Sequence, residues 1–219
     1  MVYRTNLPDT ASVANSKGDD RLFAPSAERN SKPIINLIKR IVPKSGEALE
    51  IASGTGQHIM KLASAFPNLS WLPSEVEDKR LKSITAWIKS ENLQNINSPL
   101  YLDATDTGWS NNITQYDFIL LVNLLHLISW NETKTLICEI SKALKPIGLS
   151  VIYGPFMRDG QLTSEGDHNF HSSLIQTDPD IGYKNDSDMR RLFFNSGLLL
   201  LETVEMPANN LAFILQKDS

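Results

Sequence analysis

Glu47-Ala-Leu-Glu-Ile-Ala-Ser-Gly-Thr-Gly-Gln-His58 is the stretch whose reading decides the fold. Ala48, Leu49 and Ile51 form a short apolar run of the kind that makes a buried strand, with the acid Glu50 set inside it. Gly54 and Gly56 then permit a tight turn with no Cβ in the way, and Ile59, Leu62, Ala63 and Phe66 recur at helical spacing. Strand, glycine loop and helix in that order bring backbone close to a nucleotide-like ligand. A dinucleotide site needs a third glycine to admit the pyrophosphate, and Ile59 stands where it would fall. A P-loop is excluded as well, because no Gly-Lys-Ser/Thr follows. A plain structural turn is the remaining alternative.

Outward from the loop, the chain alternates strands and helices. Residues 1 to 22 are polar and aperiodic and predict a flexible N-terminal extension, with one domain from 23 to 219. Ile34, Leu37, Ile38 and Ile41 give a helical stripe over Ser26 to Val42, stopped by Pro43 and Gly46. Further strands are expected at Ser70 to Pro73, Leu100 to Leu102, Phe118 to Val122 and Leu149 to Tyr153, the last running out into Gly154-Pro-Phe156. A helix from about Glu77 carries Leu81, Ile84 and Ile88. Another opens at the capping box Ser129-x-x-Glu132 and ends at Lys145-Pro146. Residues 157 to 185 are polar and weakly periodic and read as a lid or specificity loop. A helix from Ser187 to Ser196 follows, and then two runs joined by Met206-Pro-Ala-Asn-Asn210, a connection short enough to make them antiparallel. The fold class is therefore α/β, with a mostly parallel sheet, helices on both faces and a C-terminal antiparallel hairpin.

Glu50, Ala52, Gly54 and Gly56 stand at alternate positions, and this resembles motif I of the class I S-adenosylmethionine (SAM) methyltransferases, with Ala52 in place of the first glycine. The β/α alternation closed by a hairpin is similar to the Rossmann-like seven-stranded sheet of the same enzymes. In such a sheet the ligand lies beyond the C-terminal ends of the strands. Glu75, 21 positions after Gly54, would accept both hydroxyls of a ribose, because a carboxylate offers two acceptor oxygens to a two-donor diol. Asp103 suits the exocyclic amine of adenine, and Asn123 the ammonium of the methionine part. Each has a bland competitor: a solvated acid opening a helix, or an acid opening a turn.

The resemblance extends along the chain. Ala27-Glu-Arg-Asn30, Pro33-Ile34, Leu49 to His58, Trp71-x-Pro73-Ser74, Asn123-x-x-His126, Ser129-Trp130, Tyr153-Gly-Pro-Phe156 and Met206-Pro-Ala-Asn-Asn210 occur in that order. This is similar to the family catalogued as domain of unknown function 938, whose animal members are called methyltransferase-like protein twenty-six, and it implies a SAM-dependent methyltransferase fold. Family members carry Asp where Glu75 stands. Their S-N-x-x-F-D, R-D-P and G-I-R-D segments are replaced here by Asp167-His-Asn-Phe-His171, Thr177-Asp-Pro179 and Gly182-Tyr-Lys-Asn185. The departures fall in the segment expected to touch the acceptor.

A base is needed only if the acceptor carries a proton. His126, Tyr153 and Asn209 are the catalytic candidates, with His126 favoured by an ordinary pKa of about 6.5; a structural histidine is the competing reading. Arg29, on the helix ahead of the sheet, is placed to pair with the SAM carboxylate, and Glu28, Asn30, Phe156 and Asn210 are candidates to flank the acceptor. His168 and His171 have no further ligand pattern to support a metal. In 219 residues, 21 basic and 25 acidic side chains give a formal charge of −4, which speaks against nucleic acid as partner. No apolar run is long enough for a membrane span, Cys138 reads as a small buried hydrophobe, and the absence of a signal-peptide pattern makes the cytoplasm the expected location. The expectation is a SAM-dependent methyltransferase acting on a small molecule, or else a SAM-binding interaction module without turnover.

Overall fold

The protein was described from a computed structural model covering residues 7–8, 11, 13–16, 18–91 and 93–219. In chain order the elements are β1 (Asn15–Ser16), β2 (Leu22–Phe23), α1 (Pro25–Ile38), β3 (Gly46–Ile51), α2 (Gln57–Ala65), β4 (Leu69–Glu75), α3 (Asp78–Ser90), β5 (Leu100–Tyr101) and β6 (Tyr116–Val122). They continue with α4 (Trp130–Ala143), β7 (Leu144–Met157), α5 (Glu165–Thr177), β8 (Lys184–Asn185), α6 (Asp186–Asn195), β9 (Leu198–Met206) and β10 (Asn210–Lys217). The main sheet has the order β5-β4-β3-β6-β7-β10-β9, and the two-residue β8 pairs with β7 off that path. Strand β10 runs antiparallel to both its neighbours, and the other pairings in the sheet are parallel. The expected mostly parallel sheet with a terminal hairpin is thus the sheet observed.

Period-two alternation along the central strands feeds two cores. On β6, Phe118 and Leu120 face one side while Ile119 and Leu121 face the other; on β10, Ala212 and Ile214 oppose Leu211, Phe213 and Leu215. The first side is covered by α1, α2 and α3 through Ile34, Ile38, Ile59, Leu62 and Ile84. The second is covered by α4 and α6 through Leu136, Ile137, Ile140, Met189 and Phe193. Each such side chain, fully buried, contributes roughly 1.5–3 kcal/mol.

Four local expectations are corrected. Strand β7 does not end at Tyr153: Gly154 and Pro155 stay in register with Leu211 and Asn210 of β10, and Phe156 pairs with Lys184 of β8. The 157–185 segment is not loop throughout, because it contains α5, whose cap Ser164 accepts from the Asp167 N–H. Helix α4 ends at Ala143, before Lys145-Pro146, since β7 already begins at Leu144. Cys138 is exposed on α4, on the face turned away from Ile137 and Ile140. The expected N-terminal extension lies partly outside the described residues. Within them, β1 pairs with β2, and Leu7 and Ala11 pack against Leu174, Ile181 and Tyr183 of the α5 segment.

Three residues of the turn after β3 have positive φ, Gly54 at 58° among them. Ala52 has φ 53°, a left-handed value that costs an L-residue about 1–2 kcal/mol. Gly56, with φ 91°, caps α2, and a Cβ there would sit 3.1 Å from the Ile84 Cα. In urea unfolding, Ala52→Gly is expected to raise stability by up to about 1 kcal/mol, strain relief outweighing the added freedom of the unfolded chain. Gly56→Ala is expected to lower it by about 1–3 kcal/mol. The opposite signs would overturn this account of the loop.

Candidate functional site

The sheet order reverses between β3 and β6, and in a parallel sheet the crevice beyond that point is where strand ends diverge and leave room. A cavity of about 200 Å³ lies there. Four strand ends contribute to it: Ala52, Ser53, Gly54 and Thr55 after β3, Glu75 and Val76 at β4, Leu102 to Thr105 after β5, and Val122 to Leu124 at β6. Ala24, Ser26 and Ala27 at the start of α1, His58 of α2 and Arg80 of α3 close its sides.

Hydrogen bonds fix this rim. The Gly54 N–H donates to Glu75 Oε2 at 2.9 Å, and the Val76 N–H donates to Oε1 at 2.8 Å. Ser53 and Ser74 bind each other through backbone and hydroxyl, and the Ser74 hydroxyl donates to the Glu50 carbonyl at 2.9 Å. Asp103 Oδ1 accepts from both the N–H and the hydroxyl of Thr105, at 2.9 and 2.6 Å. Asn123 has φ 56°, and its N–H donates to the Tyr153 carbonyl of β7 at 2.9 Å. Burial raises the Glu75 carboxyl pKa despite opposition from Arg80 and from the backbone N–H groups of Val76, Gly54 and Glu77.

Of the cofactor candidates, Ala52, Gly54, Glu75, Asp103 and Asn123 are brought together on the cavity wall. Gly56 shapes the turn from behind. Glu50 sits beneath the loop, 1% exposed, and its Oε2 has no partner among the described residues. Burial, reinforced by the charge of Glu75 and opposed by a bond to Ser53, pushes its carboxyl up to about 8. Arg29 is exposed on α1 and is not part of the wall.

None of the catalytic candidates lines the cavity. His126 is buried against Phe170 and Tyr183, and that burial, with Lys184 nearby, takes its pKa down to about 3, correcting the ordinary value expected of it. Tyr153 is packed in the core, where burial pushes its hydroxyl up to about 12 against a hydrogen bond with Asn30. The Asn209 amide donates to Asp167 Oδ2 at 3.0 Å and ties the hairpin to α5, while the Asn210 amide donates to the carbonyls of Pro207 and Ala208 within the turn. Phe156 packs edge-on against Phe213, 4.9 Å between centroids, inside the second core. Glu28 pairs with Lys61 at 2.7 Å. Asn30 Oδ1 lies 2.7 Å from His58 Nε2, which ties α1 to α2.

The wall also holds residues outside the expected set. Leu7, Ala11 and Val13 come from the N-terminal stretch, Leu127, Ile128 and Glu132 from the turn into α4, and Arg80 and His58 from helices. Of these, His58 carried a sequence signal, its place at the start of the helix behind the glycine loop. Burial, aided by Lys61, lowers its pKa to about 4, so it is neutral at physiological pH. Among the described residues, no group of three or more His, Cys, Asp or Glu could hold a metal, and no helix is long and apolar enough to cross a membrane.

A family model described as protein of unknown function (DUF938) matches residues 21–217. Among solved structures, an O-methyltransferase family protein from Burkholderia thailandensis superposes with a TM-score of 0.75 at 16% identity, covering 89% of this chain and 58% of that one. Human N-acetylserotonin methyltransferase in complex with SAM gives 0.72 at 12%, covering 89% and 53%. The mitomycin 7-O-methyltransferase MmcR gives 0.74 at 15%, covering 88% and 54%. At these identities the likeness shows a shared Rossmann-like methyltransferase fold, and the chain spans little more than half the length of these structures.

Glu50 makes stability fall with pH. Below the usual carboxyl pKa of 4.5 the folded and unfolded states are both protonated; above it the unfolded state ionises while the folded one holds its proton up to about 8. Stability from this group therefore drains away across that window. Glu50→Gln is expected to match the parent near pH 4 and to exceed it by roughly 1–4 kcal/mol near pH 8. Equal stability at both pH values in thermal or urea unfolding would show that Glu50 is already ionised in the fold.

Proposed function

We propose that this chain, which belongs to the family described as protein of unknown function DUF938, is a methyltransferase that binds SAM and passes its methyl group to a small-molecule acceptor. The observation that carries this reading is the convergence of four strand ends on one cavity at the point where sheet order reverses, with Glu75 gripping the glycine loop. In this reading Glu75 takes the ribose hydroxyls on the lone pairs its backbone bonds leave open, Asp103 meets the adenine amine, and Asn123 borders the methionine part. The loop backbone at Ala52 and Gly54 lies against the cofactor, and the α5 segment within 157–185 stands on the acceptor side.

Transfer from a sulfonium is an in-line displacement, and the chain's part in it is alignment and exclusion of water, worth up to several orders of magnitude in effective concentration. A SAM-binding module without turnover is the second reading, and the absence of His126, Tyr153 and Asn209 from the wall is what favours it. Release of S-adenosylhomocysteine that depends on an added acceptor separates the two.

Titration calorimetry is expected to show S-adenosylhomocysteine binding, weakened at least about tenfold by Glu75→Ala, which removes a charge-assisted acceptor worth about 1.5–3 kcal/mol. Circular dichroism on the same variant checks that the fold persists. Absence of binding at millimolar ligand would refute the cofactor assignment.

A further inference from the structure

The β5 edge of the cavity has little sheet to hold it. Strand β5 is two residues long, pairs with β4 at Ser74 and Glu75, and gives way at once to the wall residues Leu102, Asp103, Ala104 and Thr105. The Leu102 N–H donates to the Glu75 carbonyl at 3.0 Å, which ties the start of this stretch to β4. Past Leu102 the bonds turn local. The Asp106 N–H donates to the Asp103 carbonyl at 3.2 Å, and Asp103 Oδ1 takes the N–H and hydroxyl of Thr105. Oδ2 of Asp103 has no hydrogen bond among the described residues, and its residue stands on the cavity wall.

Trp109 holds the same stretch from the other side. Its indole N–H donates to the Ala104 carbonyl at 3.1 Å, at the peptide between Asp103 and the end of its Thr105 partner. The ring is 6% exposed and packs in the core that α4 covers. Trp109 opens a single helical turn, Trp109–Asn112, preceded by Gly108 at φ 85°. That turn is seated on Glu139 of α4, which is 1% exposed. Glu139 Oε2 accepts the N–H and the hydroxyl of Ser110 at 3.1 and 2.5 Å, and Oε1 accepts from the Lys142 ammonium at 2.7 Å. Burial works against this charge, yet the bonds from Lys142, Ser110 and the Gly108 N–H outweigh it and hold the carboxyl down at about 2. The seat is therefore ionised at neutral pH, where its hydrogen bonds are of the strong, charge-assisted kind.

These contacts form a path from α4 to the cavity: Glu139 to Ser110, Trp109 to Ala104, Thr105 to Asp103. Placement is what a reading carboxylate needs. An oxygen accepts from an amine only at hydrogen-bond distance and in line with the N–H, and a displacement of about 1 Å forfeits most of the bond.

Resting on the methyltransferase reading and its assignment of Asp103 to the adenine amine, we propose that Trp109 is the positioning residue of the adenine end of the site. Seated on Glu139, its indole N–H sets where Asp103 Oδ2 stands, and this gives the cavity its preference for a 6-aminopurine. A tryptophan that merely filled the core would support every purine alike.

Titration calorimetry with S-adenosylhomocysteine, and with its analogue carrying hydrogen in place of the adenine amine, tests this. The parent protein is expected to bind S-adenosylhomocysteine at least about tenfold more tightly than the analogue, as a hydrogen bond to a charged acceptor allows. Trp109→Phe keeps a buried ring and removes the N–H. It is expected to weaken S-adenosylhomocysteine about tenfold and the analogue less than about twofold, so that the ratio collapses. Glu139→Gln keeps the side-chain size and removes the charge, and should narrow the ratio in the same direction by about threefold. Asp103→Ala should abolish the ratio, and adding Trp109→Phe to it should change the ratio no further. Circular dichroism checks each fold; should Trp109→Phe not fold, Glu139→Gln decides alone. Equal losses for both ligands, no change in the ratio, or a parent that binds both ligands equally would overturn the positioning role. A parent that binds neither ligand would strike the methyltransferase reading instead.

Discussion

Everything at the mouth of this sheet depends on one buried carboxylate. Glu75 ends β4, only 5% exposed, and reaches across to the N–H of Gly54 while its other oxygen takes the N–H of Val76. Burying an ionised carboxylate is expensive unless donors replace the lost water, and backbone N–H groups are rigid, charge-assisted donors. That grip joins the Ser53–Ser74 bonds, the Gly56 N–H bond to the Ser53 carbonyl and the Ser83 hydroxyl bond to the Thr55 carbonyl in holding the left-handed angles of the loop and the first turn of α2. The burial still outweighs the bonds, which is why the carboxyl is raised and not lowered.

A second acid compounds the imbalance. Glu50 lies beneath the same loop with an unpartnered oxygen, and Glu75 contributes to raising it. Holding its proton up to about 8, Glu50 is neutral at physiological pH, while Arg80, which is also paired with Glu77, opposes the rise at Glu75.

How much of this was legible in the sequence follows from which forces act locally. The glycine loop, the strand-end residues Glu75, Asp103 and Asn123, and the terminal hairpin were readable because each is set by a few adjacent residues and by strand alternation. The strand limit at Tyr153 was not, since Gly154 and Pro155 stay extended only because β10 runs alongside them. Helix α5 was hidden because only Asp167 and Leu174 of its residues are buried, which leaves almost no apolar stripe to read. His126, Tyr153 and Phe156 looked chemical for their type and position at strand ends, and tertiary packing turned all three inward.

The same locality explains why the sequence spoke of a cofactor and was silent on an acceptor. The polar side of the cavity is built from strand ends at regular intervals, each followed by its own turn, so the pattern repeats along the chain and can be recognised. The apolar side is assembled from Leu7, Ala11 and Val13, from Leu124, Leu127 and Ile128, and from the backing of Leu174, Ile181 and Tyr183, which share no motif and meet only in the folded chain. The polar anchors of that backing, Asp167 and Lys184, fall in the stretches where the chain departs from its family's pattern, and both are consumed internally. Changes there alter how the apolar wall is held without touching the loop that Glu75 grips. A fold built this way can keep its glycine loop constant while the apolar side of the cavity is free to diverge.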